Sequence, residues 1–326
     1  MRKAMATAEV GDDVFGEDPT VNHLQEKVAE LLGKEAALYV ASGTMSNQLA
    51  LKTHTSPGDE VIVEHESHVF NYETGAPSLL SGVQLNPIHG TRGLMKAADV
   101  EAAIRPDVYY MMPTKLIWVE NTHNRGGGSI YPMKLIDEIR EVATRHNLKY
   151  HLDGARIWNA SVATGIKVAE YAKRFDSVSV CLSKGLGAPV GSVLTGTREY
   201  IAKAHRFRKI FGGGMRQAGI LAAAGLYALE HNVERLAEDH EKAKIFAETI
   251  SDSPTYELDV DDVETNIVIF GIKPPLSVNR FLADAKSLGI LLSAGSPGKV
   301  RAVTHLDVSI GDVRKAAETL AKYHGD

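Results

Sequence analysis

Short apolar runs alternate with helix-like segments through the first two thirds of this chain, and this alternation limits the fold more than any other feature. Strands that alternate with helices indicate a largely parallel sheet covered by helices on both faces. We therefore predict an α/β fold whose large domain contains a mostly parallel, seven-stranded sheet. The predicted strands are residues 36–40, 60–64, 83–88, 116–120, 148–154, 177–182 and 190–194.

The last third of the chain has a different pattern, which indicates a second and smaller unit. We predict a large domain at residues 1–240, in which about the first 15 residues form an extended segment, and a small α+β domain at residues 241–326. The elements behind the second domain are strands at 266–270 and 300–303 and helices at 277–288 and 312–323, after a polar stretch at 251–265.

Charge and composition exclude several classes of protein. The net charge of −5 gives no electrostatic reason to expect nucleic acid as a partner. No apolar run approaches the ~20 residues of a membrane-spanning helix, and the N-terminus lacks the apolar core of a signal peptide. The single cysteine, Cys181, excludes an intrachain disulfide and fits a reducing compartment. We therefore expect a cytoplasmic protein that binds neither nucleic acid nor membrane.

Polar side chains follow several of the predicted strands at the point where each strand ends. Parallel sheets bind ligands at the carboxyl ends of their strands, because those ends meet at one edge. The sequence therefore predicts a functional site at this edge. The residues placed there by the pattern are His68, Asn121, His123, Asp153 and Lys184.

Lys184 ends a buried strand and begins a glycine- and proline-rich turn, within the stretch 179–192. A lysine that loses solvation at such a position has a more nucleophilic amine, which can form a Schiff base. Taken alone, the stretch is more typical of a surface lysine on a glycine turn. Asp153 ends a different strand, and a Schiff-base lysine with such a carboxylate suits pyridoxal phosphate, whose pyridine nitrogen the carboxylate keeps protonated.

A small-residue turn at Ser42, Gly43 and Thr44 opens a helix, whose free N–H groups would suit a phosphate. His68 could stack on a cofactor ring. Each element has a plainer explanation, since such turns often bind nothing, Asp153 could cap a helix and His68 could be a core histidine. Their combination and order along the chain favour the pyridoxal phosphate interpretation.

The motifs around these residues resemble one family. The whole set is similar to the low-specificity L-threonine aldolases, which belong to the fold type I, aspartate-aminotransferase-like group of pyridoxal phosphate enzymes. The resemblance spans almost the whole chain. The matching motifs are VGDDVFGEDPT at 10–20, ENTHN at 120–124, HLDGAR at 151–156, CLSKGLGAPVGS at 181–192, GGGMRQ at 212–217 and VTHLDVS at 303–309.

The resemblance implies a role for each candidate residue. Lys184 would hold the cofactor as a Schiff base, Asp153 would pair with the pyridine nitrogen and His68 would stack on the ring. Cofactor contacts are also implied for Ser42, Gly43, Thr44, Arg156, Lys209 and Arg216. The last two would reach a neighbouring subunit's cofactor, which implies a homotetramer, a dimer of dimers with shared active sites. No metal ligand is implied.

The same resemblance implies the substrate contacts and the reaction. Arg156 and Arg301 would bind the substrate carboxylate, since the guanidinium fork suits that group. His123 would contact the substrate, and His68, His123 or a bound water would serve as the base. The implied reaction is the cleavage of L-threonine, L-allo-threonine and other β-hydroxy-α-amino acids to glycine and an aldehyde.

Three alternatives stay open at this stage. The chain could be a β-eliminating lyase of the same fold, an aldolase for bulkier substrates of the phenylserine type, or an inactive homologue that binds the cofactor. We consider an inactive homologue because family chains usually begin with a segment containing Leu-Arg-Ser-Asp-Thr. The serine of that segment helps to hold the substrate carboxylate. That segment would lie upstream of Met1.

Overall fold

The computed structural model describes residues 1–324, so that residues 325 and 326 of the predicted second domain lie outside the described part. The strands are β1 (Ala36–Val40), β2 (Glu60–Glu64), β3 (Gln84–Ile88), β4 (Thr114–Glu120), β5 (Lys149–Gly154), β6 (Ser177–Cys181), β7 (Ser192–Gly196), β8 (Tyr256–Glu257), β9 (Ile267–Ile272), β10 (Ser293–Ala294) and β11 (Lys299–Val303). The α-helices are α1 (Arg2–Ala6), α2 (Pro19–Leu32), α3 (Gly43–His54), α4 (His68–Asn71), α5 (Ala97–Ala103), α6 (Met133–Arg145), α7 (Ile157–Thr164), α8 (Val168–Ala172), α9 (Arg198–Ile210), α10 (Gly219–His231), α11 (Leu236–Ser251), α12 (Val278–Ser287) and α13 (Ile310–Ala321).

The first seven strands form one sheet in the order β1-β7-β6-β5-β4-β2-β3. Strands β3, β2, β4, β5 and β6 pair in parallel, and β7 runs antiparallel to both β6 and β1. β1 therefore points in the same direction as the parallel set. This arrangement confirms the predicted α/β fold with a mostly parallel, seven-stranded sheet.

Apolar side chains fill both faces of this sheet, as the near-continuous apolar strands require. One face carries the larger core, in which Val28 of α2 and Ile136 of α6 pack with Tyr150 of β5. The other face packs against α3 and α9, with Leu49 and Trp118 in its core. Residues that follow the strands at their carboxyl ends are therefore held between two packed layers.

The N-terminal segment differs from the predicted extended chain. Residues Arg2–Ala6 form helix α1, and Asp13–Phe15 form a short 3-10 helix. Met1 and Met5 pack against the larger core, and α1 contacts α10. The helix is only five residues long, which is too short for its apolar spacing to reveal it in the sequence.

A second sheet, in the order β10-β11-β9-β8, is antiparallel and forms the predicted small α+β unit with α12 and α13. Helix α11 joins this unit to the first one. Leu236 at its start packs in the core of the large sheet, whereas Phe246 packs in the core of the second sheet. The predicted boundary near residue 240 therefore falls inside a single helix that both cores share.

No helix within residues 1–324 is both long enough and apolar enough to cross a membrane.

Candidate active site

Asp153 lies near the end of β5 and is buried, with 3% of its surface exposed. Its Oδ2 accepts a hydrogen bond from Asn47 Nδ2 at 2.9 Å, and its Oδ1 accepts one from the Ala155 N–H at 3.1 Å. Burial raises the pKa of the Asp153 carboxyl, as does the charge of Glu120, and the charges of Lys184 and His68 oppose this rise. A buried carboxylate in this environment gains stability from a cationic partner.

Lys184 lies in the turn that follows β6, the strand next to β5. Its side chain is half-buried and has no ion pair within residues 1–324. Because the Lys184 charge acts on the pKa of Asp153, the two groups lie within electrostatic reach of each other. Gly187 has a φ of 72° and its N–H donates to the Lys184 carbonyl at 2.9 Å, which closes the turn. The predicted lysine and aspartate are thus brought together.

His68 is the first residue of the short helix α4, after β2. Its backbone N–H donates to Glu120 Oε2 at 2.7 Å, and its ring Nδ1 lies 3.0 Å from Glu73 Oε1. The hydrogen bond to Glu73 raises the pKa of His68, which burial would lower, and Asp153 and Glu120 add to the rise. With Nδ1 donating to the Glu73 carboxylate, Nε2 is left to act on a substrate.

Asn47 connects the His68 pair to Asp153. Its Nδ2 donates to Glu73 Oε1 at 2.8 Å as well as to Asp153 Oδ2, and Gln48 also donates to Glu73. All four side chains are buried. Sequence reasoning missed Asn47 and Glu73. The available signal was an adjacent Asn-Gln pair one turn into a helix that the sequence had already placed beside the predicted site.

The predicted phosphate turn begins helix α3. The Ser42 side chain caps the helix by accepting from the Met45 N–H at 3.1 Å. The N–H groups of Gly43 and Thr44 have no acceptor within the described chain, and both Ser42 and Thr44 are exposed. A Cβ atom at Gly43 would lie 2.9 Å from Cys181 Sγ, so the turn packs closely on the end of β6. Free N–H groups at a helix start suit an anion.

The two predicted carboxylate-binding arginines come from different parts of the fold: Arg156 follows β5 of the large sheet, and Arg301 belongs to the small sheet. Arg156 immediately precedes α7, and Arg301 lies on β11, where its Nη2 donates to Asn124 Oδ1 at 2.8 Å. Burial, together with the charges of Arg156 and Arg125, lowers the pKa of Arg301 to about 10. Burial also lowers the pKa of Arg156. Neither guanidinium has an ion pair within residues 1–324, so both are available to an anionic ligand.

His123 follows β4 and is fully buried. Its Nε2 lies 3.1 Å from Glu64 Oε2, and its Nδ1 accepts a hydrogen bond from the Gly126 N–H at 3.1 Å. Burial lowers the pKa of His123, but Glu120 and Glu64 outweigh this effect and raise it. A Cβ atom at Gly93 would lie 2.1 Å from the ring, so the backbone packs directly on the imidazole. Nδ1 therefore has a hydrogen-bond donor, whereas Nε2 lies within ion-pair distance of Glu64 without making a hydrogen bond.

Lys209 and Arg216 lie apart from this network in the single chain. Both are exposed, and Arg216 Nη1 pairs with Asp12 Oδ2 at 2.6 Å. Lys209 and Arg216 both act on the pKa of Asp12, which is lowered although burial opposes the change. The structure thus groups these two residues with the N-terminal segment and does not join them to Asp153.

The arrangement fits pyridoxal phosphate on three observations. The buried Asp153 carboxylate has no ion pair, the Lys184 amine lies within electrostatic reach of it, and the start of α3 offers unpaired N–H groups. These suit a protonated ring nitrogen, an aldehyde and a phosphate, respectively. Within residues 1–324, no group of three or more His, Cys, Asp or Glu side chains is placed to hold a metal ion.

Known proteins share both the sequence and the fold of this chain. A family model described as "Beta-eliminating lyase" matches residues 1–273. The low specificity L-threonine aldolase of Escherichia coli is 45% identical over 312 residues, which cover 95% of this chain and 90% of that protein. Low-specificity L-threonine aldolase 1 of Arabidopsis thaliana is 43% identical over 319 residues, covering 96% of this chain and 89% of that protein.

A solved structure of Leishmania major threonine aldolase has the same fold. It matches with a TM-score of 0.81 and 21% identity, and covers 96% of this chain and 91% of that chain. The fold class, the family resemblance and the class of enzyme, a lyase, that we predicted from the sequence are thereby confirmed. The chain belongs to the beta-eliminating lyase family, and within it to the low-specificity L-threonine aldolases.

Proposed function

We propose that this protein is a pyridoxal phosphate-dependent aldehyde-lyase that cleaves L-threonine and L-allo-threonine to glycine and acetaldehyde. Other β-hydroxy-α-amino acids would give glycine and the corresponding aldehyde. The family depends on this cofactor. When held by Lys184 and paired with Asp153, the cofactor would supply a sink for the electrons of the broken Cα–Cβ bond.

The observation that carries the proposal is the His68–Glu73 pair. Cleavage of a β-hydroxy amino acid between Cα and Cβ requires a base for the hydroxyl proton, whereas transamination does not. His68 has a carboxylate partner 3.0 Å from Nδ1, which fixes the ring and leaves Nε2 to take a proton. Asn47 places this pair in the same hydrogen-bond network as Asp153.

We propose His68 as the catalytic base, rather than His123 or a bound water. His123 is fully buried and its Nε2 faces Glu64 at 3.1 Å, so a role for His123 in substrate binding requires the ring to move away from Glu64. The raised pKa of His68 supports this role, since a higher pKa makes the neutral ring a stronger base.

Arg156 and Arg301 would bind the substrate carboxylate. Their unpaired guanidinium groups support this role, because a buried cation without a counter-ion is costly and an anionic ligand removes that cost. Fixing the carboxylate also fixes the rotation of the amino acid about its Cα–N bond. That rotation determines which bond at Cα breaks.

We further propose a homotetramer, a dimer of dimers, located in the cytoplasm. Ser42 and Thr44 border a surface hollow of about 620 Å³ that is also lined by Leu79 and Ile210. These apolar side chains are 82% and 72% exposed, respectively, which favours burial against another copy. Lys209 and Arg216 of that neighbouring copy would then complete the cofactor site.

Product analysis tests the reaction directly. The purified protein with pyridoxal phosphate is incubated with L-threonine, and acetaldehyde, glycine, a keto acid and ammonia are measured. We expect acetaldehyde and glycine. A keto acid with ammonia would instead identify a β-eliminating lyase, and cleavage of phenylserine without that of threonine would identify an aldolase for bulkier substrates. Cofactor binding without any product would identify an inactive homologue.

A further inference from the structure

A third arginine, Arg125, lies beside the proposed carboxylate-binding pair. It follows Asn124, whose Oδ1 accepts from Arg301, and its own charge acts on the pKa of Arg301. Its Nη1 lies 3.4 Å from the Ala294 carbonyl on β10, the strand that pairs with the Arg301 strand. Arg125 and Arg301 are thus neighbours in space.

The Arg125 guanidinium also stacks on an aromatic ring next to the proposed base. Its central carbon lies 4.8 Å from the centroid of the Tyr72 ring, and that ring lies 5.7 Å from the His68 ring. Tyr72 is 45% exposed, so this stack borders solvent. The rings of His68 and Tyr72 and the guanidinium of Arg125 therefore adjoin one another along one edge of the site.

Arg125 has no carboxylate partner within residues 1–324. Its contacts are the Tyr72 ring and one long hydrogen bond to Ala294, which leaves most of its five N–H donors free. A single substrate carboxylate, bound by Arg156 and Arg301, carries less charge than those two guanidinium groups. The positive charge of Arg125 would then remain without a counter-charge.

The turn that carries Arg125 is fixed by packing. A Cβ atom at Gly126 would lie 2.0 Å from the Arg92 carbonyl, and one at Gly128 would lie 2.2 Å from Thr265 Oγ1. The Gly126 N–H is also bonded to His123. Larger residues would therefore displace the turn, and the tight fit holds Arg125 in place.

We propose that Arg125, stacked on Tyr72, is a specificity residue for the β-substituent, and that the site prefers β-hydroxy-α-amino acids bearing a second carboxylate on Cβ. The inference rests on the proposed function. The β-hydroxyl and the β-substituent are on the same carbon, so a substrate whose hydroxyl is at His68 brings its β-substituent near the His68 ring, which Tyr72 and then Arg125 adjoin. A carboxylate there supplies the missing counter-charge.

The simplest such substrate is 3-hydroxyaspartate. Its Cα–Cβ bond breaks, the β-hydroxyl loses its proton to the base, and the β-carbon leaves as the aldehyde of glyoxylate. The electron pair of the broken bond stays with Cα, which takes up one proton and becomes glycine. The atoms balance as one amino acid in and one glycine and one glyoxylate out, with no oxidant or reductant.

The test compares two substrates in wild type and in Arg125→Gln. The ratio of kcat/KM for L-threo-3-hydroxyaspartate, followed as glyoxylate, to kcat/KM for L-threonine, followed as acetaldehyde, should fall about ten-fold in the variant. The ratio should fall less in Arg125→Lys, which keeps the charge without the planar fork. Tyr72→Phe should leave the ratio unchanged. Arg145→Gln, which removes an exposed arginine on α6, is the matched control and should change neither rate.

A binding measurement separates this inference from the proposed function. L-Aspartate has the second carboxylate but no β-hydroxyl, so calorimetry should show tighter binding of L-aspartate than of L-alanine to wild type, and loss of that preference in Arg125→Gln. Equal binding of the two ligands, or an unchanged ratio of rates in the variant, would overturn the role of Arg125. Failure of wild type to cleave threonine would overturn the proposed function, while the calorimetric preference would still decide the role of Arg125.

Discussion

The partners of His68 determine how this histidine would act. Glu73, Glu120 and Asp153 all act on its ring, and the hydrogen bond to Glu73 is the largest effect and raises its pKa. A base must be neutral to accept a proton, so a raised pKa moves the acidic limb of the rate profile to higher pH. Glu73 thereby influences both the orientation of the ring and the pH at which it works.

Replacing Glu73 with glutamine separates these effects. In Glu73→Gln the pKa of His68 should fall, so the acidic limb of the kcat profile should move to lower pH. The plateau rate should fall about ten-fold, because the ring is less well oriented. Glu30→Gln, an exposed change on α2, should leave the profile unchanged. An acidic limb that stays in place in Glu73→Gln would contradict the assignment of His68 as the base.

The His123–Glu64 pair makes a prediction about stability. Burial alone would raise the pKa of Glu64, but His123, aided by the Glu66 N–H and His65, lowers it to about 2 from an ordinary value of 4.5. The lowered pKa of Glu64 therefore increases the free energy of unfolding. This contribution is complete above pH 4.5 and is lost as the pH falls to about 2. The raised pKa of His123 also increases the free energy of unfolding. This contribution is complete below pH 6.5 and is lost as the pH rises through the pKa of His123 in the folded protein. The His123–Glu64 pair therefore stabilises the fold most between pH 4.5 and pH 6.5.

We expect His123→Gln to lower the free energy of unfolding by about 2 kcal/mol at pH 6, because Glu64 stays buried without its partner. The loss should shrink by pH 3, where Glu64 becomes protonated in the unfolded chain. Urea unfolding at both pH values measures this difference. Equal losses at pH 6 and pH 3 would show that the Glu64 charge is not involved.

Among the elements, those with a regular pattern or a clear cap could be predicted from the sequence. Helix α2 begins at Pro19 with Asp18 as its cap and ends at Gly33, which has a φ of 62°, as the residue types indicate. Lys184 and Asp153 also lie where strand ends predict them. Asn47, Glu73 and Arg125 could not be assigned in this way, because their roles depend on contacts with residues far away in the sequence.

The start of α3 is the element most sensitive to a small change. Gly43→Ala would place a methyl group 2.9 Å from Cys181 Sγ, so the turn must shift. We expect the dissociation constant for pyridoxal phosphate to rise about five-fold, since displaced N–H groups bind phosphate less well. Adding Cys181→Ala should restore part of the affinity, and Gly311→Ala, which meets only Ser309 Oγ at 3.6 Å, is the control. Unchanged affinity in Gly43→Ala would contradict the phosphate assignment.

On the scale of the whole molecule, the site combines residues from both sheets. Arg301 comes from the small antiparallel sheet, whereas Asp153 and Lys184 follow strands of the large one. Helix α11 packs in both cores and so connects them. Sequence patterns identified each sheet but not this shared helix, because an apolar face does not reveal which core it enters.

Mixing inactive variants tests whether neighbouring copies share their sites. We expect Lys184→Ala and Arg216→Ala to be inactive or nearly so when assayed alone. If Arg216 completes the site of a neighbour, a 1:1 mixture should regain about a quarter of the wild-type activity, since about half of the pairs are mixed and one of the two sites in each mixed pair is intact. Reassembly after dilution in mild denaturant forms the mixture. No recovery in proven mixed oligomers would place Arg216 within its own subunit's site.

The central claim is that the Lys184 site breaks the Cα–Cβ bond of a β-hydroxy amino acid, and nuclear magnetic resonance of a threonine incubation in D₂O tests it most directly. We predict equal amounts of acetaldehyde and glycine, with the new hydrogen on glycine Cα being deuterium, and no products with Lys184→Ala. A keto acid in place of these products, or undiminished cleavage by Lys184→Ala, would contradict the claim.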